Sequence, residues 1–138
     1  MFANYLPLAA RICLATIFLY AGTGKIFDFA GTQATMAERG LPLPGLLLLG
    51  NIVFQLVGGT LLLLGFKMRW GALLLILFLV PTTLVFHAFW ADPGETTAFL
   101  KNLGLIGGLL MSMQVGPGPV SVESLLAKPD RTQETSST

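Results

Sequence analysis

Charge is what this chain has least of. Of 138 residues, 8 are Lys or Arg and 7 are Asp or Glu, 11% in all, giving a formal net charge of +1. An ordinary soluble domain carries about 25%. A chain so close to neutral has no electrostatic footprint for nucleic acid. Cysteine is scarcer still. Cys13 stands alone, which excludes an internal disulfide and a multi-cysteine metal site. It lies in an apolar run, so a buried, inert thiol is expected. Histidine also occurs once, as His87. One His and one Cys cannot hold an iron–sulfur cluster or a dithiol, and no haem or metal site is evident.

What is present is apolar. Hydrophobic residues make up 54% of the chain and the mean hydropathy is +0.76. A single soluble core of this size could not hide so much apolar surface from water. The expected class is therefore an all-α integral membrane protein with the bilayer as its solvent. A spanning helix needs about 20 mostly apolar residues. Four segments qualify: 6–24, 46–66, 70–90 and 97–115. The first is a poor signal peptide, because it has no basic leader and Arg11 interrupts it. Between spans one and two lies "KIFDFAGTQATMAERGLPLPG". Thr32 is placed to cap a short helix, and Gly40 with Pro42 to stop it. Phe29, Met36 and Leu41 suit a helix lying at the membrane surface. The expectation is a four-helix transmembrane domain over residues 1–118. A polar tail follows over 119–138, its last ten residues disordered.

The turn between spans two and three is "KMR", and the loop between spans three and four carries Asp92 and Glu95. Positive charge is retained in the cytoplasm. The KMR turn and both termini are therefore expected inside, in agreement with Lys128 and Arg131 in the tail. Lys25 and Arg39 weigh the other way without reversing the balance.

Polar side chains within spans are costly in lipid and usually face the bundle interior or a wet cavity. Arg11, Ala15, Phe18, Gly22 and Lys25 are spaced 4, 3, 4 and 3, which puts them on one stripe of span one. Arg11 and Lys25 either snorkel to headgroups or line the interior. Asn51, Gln55 and the Gly58–Gly59 pair share a face of span two. Gln55 is suited either to an interhelical hydrogen bond or to contact with a ligand. Gly104 and Gly108 form a GxxxG pair in span four, with Gly107 alongside, which permits close approach within the bundle or to a second copy.

Helical spacing places Thr83, His87 and Trp90 on one face of span three. At the same level lie Lys25, ending span one, and Lys101 and Asn102, entering span four, with Asp92 and Glu95 above. Two readings fit. One is an aromatic belt containing a structural His–acid hydrogen bond. The other is an outward-facing pocket for an anion or a quinone head, in which His87 exchanges a proton. The candidate ligand-binding set is thus Arg11, Lys25, Gln55, His87, Trp90, Lys101 and Asn102, with His87 the candidate catalytic residue.

The chain resembles the DoxX-like membrane proteins. "RICLATIFLYAGTGKIFDFAG", "ERGLPLP", "QLVGGTLLLLGFKMRWGALLL", "FHAFWADPGETTAFLKNLGLIGGLLM" and "GPG" follow that family's landmarks in order from Arg11 to Gly118. The FHxFW and KNL pieces mark a subgroup. Many members carry Glu where this chain has Gln55, so a proton-handling role of that acid does not carry over. The resemblance implies a four-helix protein of the bacterial inner membrane. Named members are subunits linked to thiosulfate:quinone oxidoreduction, or membrane partners of thiol and superoxide defence enzymes. It therefore implies a redox-associated subunit that binds a quinone or a small sulfur or anionic species and works with a soluble or membrane redox partner. The alternative is a non-enzymatic scaffold, chaperone or small-molecule carrier, packing through Gly104 and Gly108. Whether the chain catalyses anything itself is left open by its sequence.

Overall fold

The computed structural model describes residues 2–127. They form six α-helices among the described residues, α1 (Phe2–Phe27), α2 (Phe29–Glu38), α3 (Pro44–Leu64), α4 (Met68–Phe86), α5 (Thr96–Val115) and the short α6 (Val122–Ala127), with a 3-10 turn at Pro93–Glu95 leading into α5. The four long helices are long and apolar enough to cross a membrane. They pack as an all-α bundle in which α1 meets α3, α3 meets α4 and α4 meets α5, while α5 touches α1 only lightly. Large apolar side chains such as Tyr20, Phe54, Leu77 and Leu110 point outward. In water that would be a liability, but around a lipid-embedded bundle it is the required solvent match.

The core shared by the four long helices is built on Ala15, Phe18, Leu62, Met68, Ala72, Leu75, Phe78, Leu79 and Leu109. Close approach of α3 and α4 depends on glycine. A Cβ on Gly58 would lie 2.9 Å from the Gly71 carbonyl oxygen, and a Cβ on Gly71 would lie 2.9 Å from that of Gly58. Without a hydrophobic driving force between helices, such backbone contact supplies the packing. The turn between them is only Gly65–Lys67, and both Gly65 (φ 66°) and Lys67 (φ 45°) are left-handed. A second, smaller core of Met36, Leu48 and Ile52 seats α2 against α3.

The expected stripe on span one is present. Arg11, Ala15, Phe18 and Gly22 are the buried residues of α1, and Lys25 is half-buried. Arg11 does not snorkel. It is 2% exposed and donates from Nη1 to the Leu63 carbonyl (2.9 Å) and from Nη2 to the Val120 carbonyl. Leu63 belongs to the last turn of α3, whose carbonyls have no intrahelical donor, so a cation there is favourable. Its Nε is the buried side-chain donor left without a partner among the described residues. The segment after α5 docks on the same end. The Glu123 N–H donates to the Gly65 carbonyl (3.1 Å), Ser121 is buried, and Gly118 lies against Pro7. The polar tail expected from residue 119 therefore starts with a docked turn and α6, while its last ten residues lie outside the described residues, as do Lys128 and Arg131.

Three local expectations need correction. Cys13 is exposed on the lipid-facing side, because it lies between the buried positions 11 and 15 and so turns off their stripe. Thr32 does not cap the surface helix. That helix starts a turn earlier with Asp28 at its N-cap position, and the Thr32 hydroxyl donates to the Asp28 carbonyl (3.0 Å). Span three ends at Phe86 and not at residue 90, because the chain turns at Ala88–Asp92, closed by Asp92 N–H to the Ala88 carbonyl (3.0 Å).

Candidate functional site

At the end of the bundle away from the KMR turn, α2 lies across the ends of α1, α3 and α4 and roofs a cavity of about 430 Å³. Helix α1 contributes Lys25 and the corner after it Asp28. Helix α2 contributes Thr32, Thr35 and Met36, α3 contributes Asn51, and the end of α4 contributes Thr82, Phe86 and His87. The hydroxyls of Thr32 and Thr35 follow from i, i+3 spacing on one face of α2. Arg39 holds the roof in place. It donates to the Val85 carbonyl (3.3 Å), near the C-terminus of α4, and its guanidinium lies 5.3 Å from the centroid of the Phe86 ring.

Lys25 Nζ donates to Gln55 Oε1 at 2.9 Å and lies 4.7 Å from the centroid of the Phe78 ring. An ammonium has three N–H bonds, so two remain for other partners. Gln55 is buried beneath the cavity and does not line it. Because Gln55 is neutral, the Lys25 charge has an amide and an aromatic face as partners and, among the described residues, no ion pair. His87 faces the cavity and also contacts Glu95, Nδ1 to Oε2 at 2.7 Å. Against an ionised carboxylate, which only accepts, the Nδ1–H donates in that contact and Nε2 is left for another partner.

The other predicted residues are dispersed. Asn102 is buried, but its Nδ2 donates to Thr83 Oγ1 (3.1 Å) between α5 and α4, outside the cavity lining. Lys101 is exposed. Neighbouring helix positions point about 100° apart, so the two cannot enter one pocket together. Trp90 is 61% exposed and packs edge-on against Phe89 and Phe99, with centroids 5.3 and 6.0 Å away. It left the His87 face when the helix stopped at Phe86. Arg11 lies at the opposite end of the bundle. The GxxxG pair also divides: Gly108 faces Leu14 of α1, whereas among the described residues nothing lies within 4 Å of a Cβ on Gly104 or Gly107. Asp28, Thr32, Thr35, Asn51 and Thr82 line the cavity without having been among the predicted site residues. Asn51 was detectable, one turn before Gln55 on the same face.

A bundle of four apolar helices roofed by a further helix defines an all-α integral membrane protein. The DoxX family profile matches residues 6–88. Inner membrane protein YqjF of Escherichia coli (strain K12) is 39% identical over 121 residues, covering 88% of this chain and 92% of the relative. Inner membrane protein YphA of the same organism is 32% identical over 123 residues, covering 86% and 88%. The Surfeit locus protein 4 homolog of Drosophila melanogaster is 31% identical over 127 residues, covering 87% of this chain but 40% of the relative. No solved structure matches. The chain belongs to the DoxX family.

Proposed function

We propose that this DoxX-family chain is a redox-associated subunit of the bacterial inner membrane that holds a quinone headgroup in the cavity beneath α2. The observation that carries the reading is the convergence of Lys25, His87 and Phe86 on one space of about 430 Å³. A quinone presents two carbonyl acceptors and a flat ring. Lys25 has N–H bonds to spare, the Thr32 and Thr35 hydroxyls are further donors, and Phe86 offers an aromatic wall. Asp28 shares the lining with Lys25, so the space is close to neutral, which favours an uncharged head over a thiosulfate-like anion. A recess of about 110 Å³ between α3 and α4 shares Met36, Asn51, Thr82 and Phe86 with the cavity and continues to the outward-facing Leu47 and Val85. It supports an apolar tail leading into lipid. A bound quinone supplies two-electron, two-proton chemistry. The side chains here supply hydrogen bonds, orientation and, at His87, a proton site, and a partner protein supplies or takes the electrons.

The KMR turn and both termini are proposed to lie in the cytoplasm, because Lys67 and Arg69 occupy the shortest turn. A scaffold or carrier role remains the second reading, favoured by the open faces of Gly104 and Gly107 on α5, where a second copy or a partner helix would pack.

The test is binding of a short-chain ubiquinone analogue to the purified protein in detergent, together with quinone analysis of its lipid extract. The analogue should raise the thermal midpoint, and Lys25→Met and His87→Phe should each weaken binding by about tenfold, the loss of one hydrogen bond. Equal binding by both variants would remove the site. Stabilisation by thiosulfate in place of the quinone would replace the ligand class, and a quinone-free protein with a stoichiometric partner would favour the scaffold.

A further inference from the structure

A second groove runs along the opposite end of the molecule and belongs to no part of the site above. It lies between α1 and α5, which touch each other less than the other neighbouring long helices do, and encloses about 300 Å³. Its walls are almost wholly apolar, with Leu6 and Ala10 on one side and Met111 and Val115 on the other. All four are exposed, so the groove opens outward, to the lipid around the bundle. Water gains nothing by filling such a cleft, and among the described residues no side chain fills it.

Its foot is cationic. Gly116 lines the groove, and Arg69 Nη2 lies 4.0 Å from where a Cβ on Gly116 would sit. Arg69 is fixed there because its Nε donates to the Met113 carbonyl in the last turn of α5 (3.0 Å). The next residue, Pro117, lines a shallow recess with Lys67, Arg69, Trp70 and Glu123. Two cations against one acid leave this recess net positive. Among the described residues neither Lys67 nor Arg69 is in an ion pair. Trp70 is 65% exposed at this level, where an amphipathic ring marks the headgroup layer.

We propose that this end of the protein is a binding site for one anionic phospholipid. One acyl chain occupies the α1–α5 groove and the phosphate rests on Arg69 and Lys67. The chain fills a cleft that the protein's own packing leaves open between two weakly joined helices. The phosphate meets the two cations of the KMR turn where basic residues ordinarily meet anionic headgroups. The apolar groove alone would accept any lipid, and the adjoining cations select the anionic one.

The experiment uses the full chain in dodecyl maltoside micelles doped with dioleoyl phosphatidylglycerol or, at equal mole fraction, dioleoyl phosphatidylcholine. The readouts are thermal midpoint and lipid retention by native mass spectrometry. The phosphatidylglycerol is expected to raise the midpoint and to stay bound where the phosphatidylcholine does not. Lys67→Gln with Arg69→Gln should cut its apparent affinity at least tenfold, to the phosphatidylcholine level. Ala10→Phe, which fills the groove from an exposed position, should do the same with both basic residues intact. Ala3→Phe, at another exposed groove position, provides the same test should Ala10→Phe fold poorly. Equal effects of the two lipids on the unmodified protein would overturn the proposal. So would a phosphatidylglycerol effect that survives the groove-filling variants, or one reproduced in full by glycerol 3-phosphate, which has the head but no chain.

Discussion

Replacing Arg11 by Leu tests the architecture at its most costly point. The guanidinium is nearly inaccessible and serves two carbonyls on separate segments, Leu63 in the last turn of α3 and Val120 after α5. Hydrogen bonds to a charged group are worth about 1.5–3 kcal/mol each in proteins, whereas polar contacts between membrane helices average about 0.6 kcal/mol. The Leu63 carbonyl already lacks an intrahelical donor and would be left in a poor solvent. For two contacts these figures bracket about 1–6 kcal/mol, and the middle of that range puts the loss for Arg11→Leu at about 2–4 kcal/mol. That corresponds to a fall on the order of 10 °C in the thermal midpoint of the detergent-solubilised protein. Arg11→Lys keeps the charge but loses the fork, so it should keep one of the two contacts and fall about half as far. The assay is a thermal melt followed by size-exclusion chromatography of the heated sample. An Arg11→Leu protein melting within about 2 °C of the unmodified one would refute the reasoning, because it would show that neither carbonyl depends on the arginine.

Two further outcomes are expected. Gly58→Leu should sharply lower the folded yield, since even a Cβ there lies 2.8 Å from Leu75 Cγ and 2.9 Å from the Gly71 oxygen, whereas Gly50→Ala, with nothing within 4 Å, should behave as the unmodified protein. Similar yields for both would mean that α3 and α4 do not approach through glycine. Reporter fusions after Met68 and after Pro129 should both read cytoplasmic, and a periplasmic signal from either would reverse the orientation and move the His87 cavity to the inner side.

The fold was legible because the bilayer imposes a coarse rule. Runs of about 20 apolar residues leave little choice but helices, and the 4, 3, 4, 3 spacing from Arg11 to Lys25 announced which side of α1 faces inward. The cavity was legible only in part. Lys25 and His87 could be paired because both close long helices at one level. Trp90 was misplaced because helical spacing was carried four residues past the point where the chain turns to let His87 meet Glu95. Lys101 and Asn102 could be placed at the right depth, yet only the rotation of α5, set by Thr83 across the interface, decides that Asn102 turns in and Lys101 out. The threonines of α2 stayed unrecognised for a similar reason. That helix has few apolar residues to fix its rotation, and Met36 is its single buried side chain.

The Arg11–Val120 contact spans 109 positions of sequence, which has a consequence for the order in which the protein is made. On the ribosome α1 emerges before the other three spans and carries a guanidinium that has no acceptor until the end of α3 is present, and lacks its second until the segment after α5 has been translated. Until then the first helix is the least comfortable in lipid, although it is the oldest in time. Its final seating is therefore a late event, completed when the segment after α5 folds back beneath it. Truncation before Val120 leaves every spanning segment intact and yet withholds the group that fixes the first of them, so quality control at this membrane would register a missing C-terminus as a loosely held N-terminal helix.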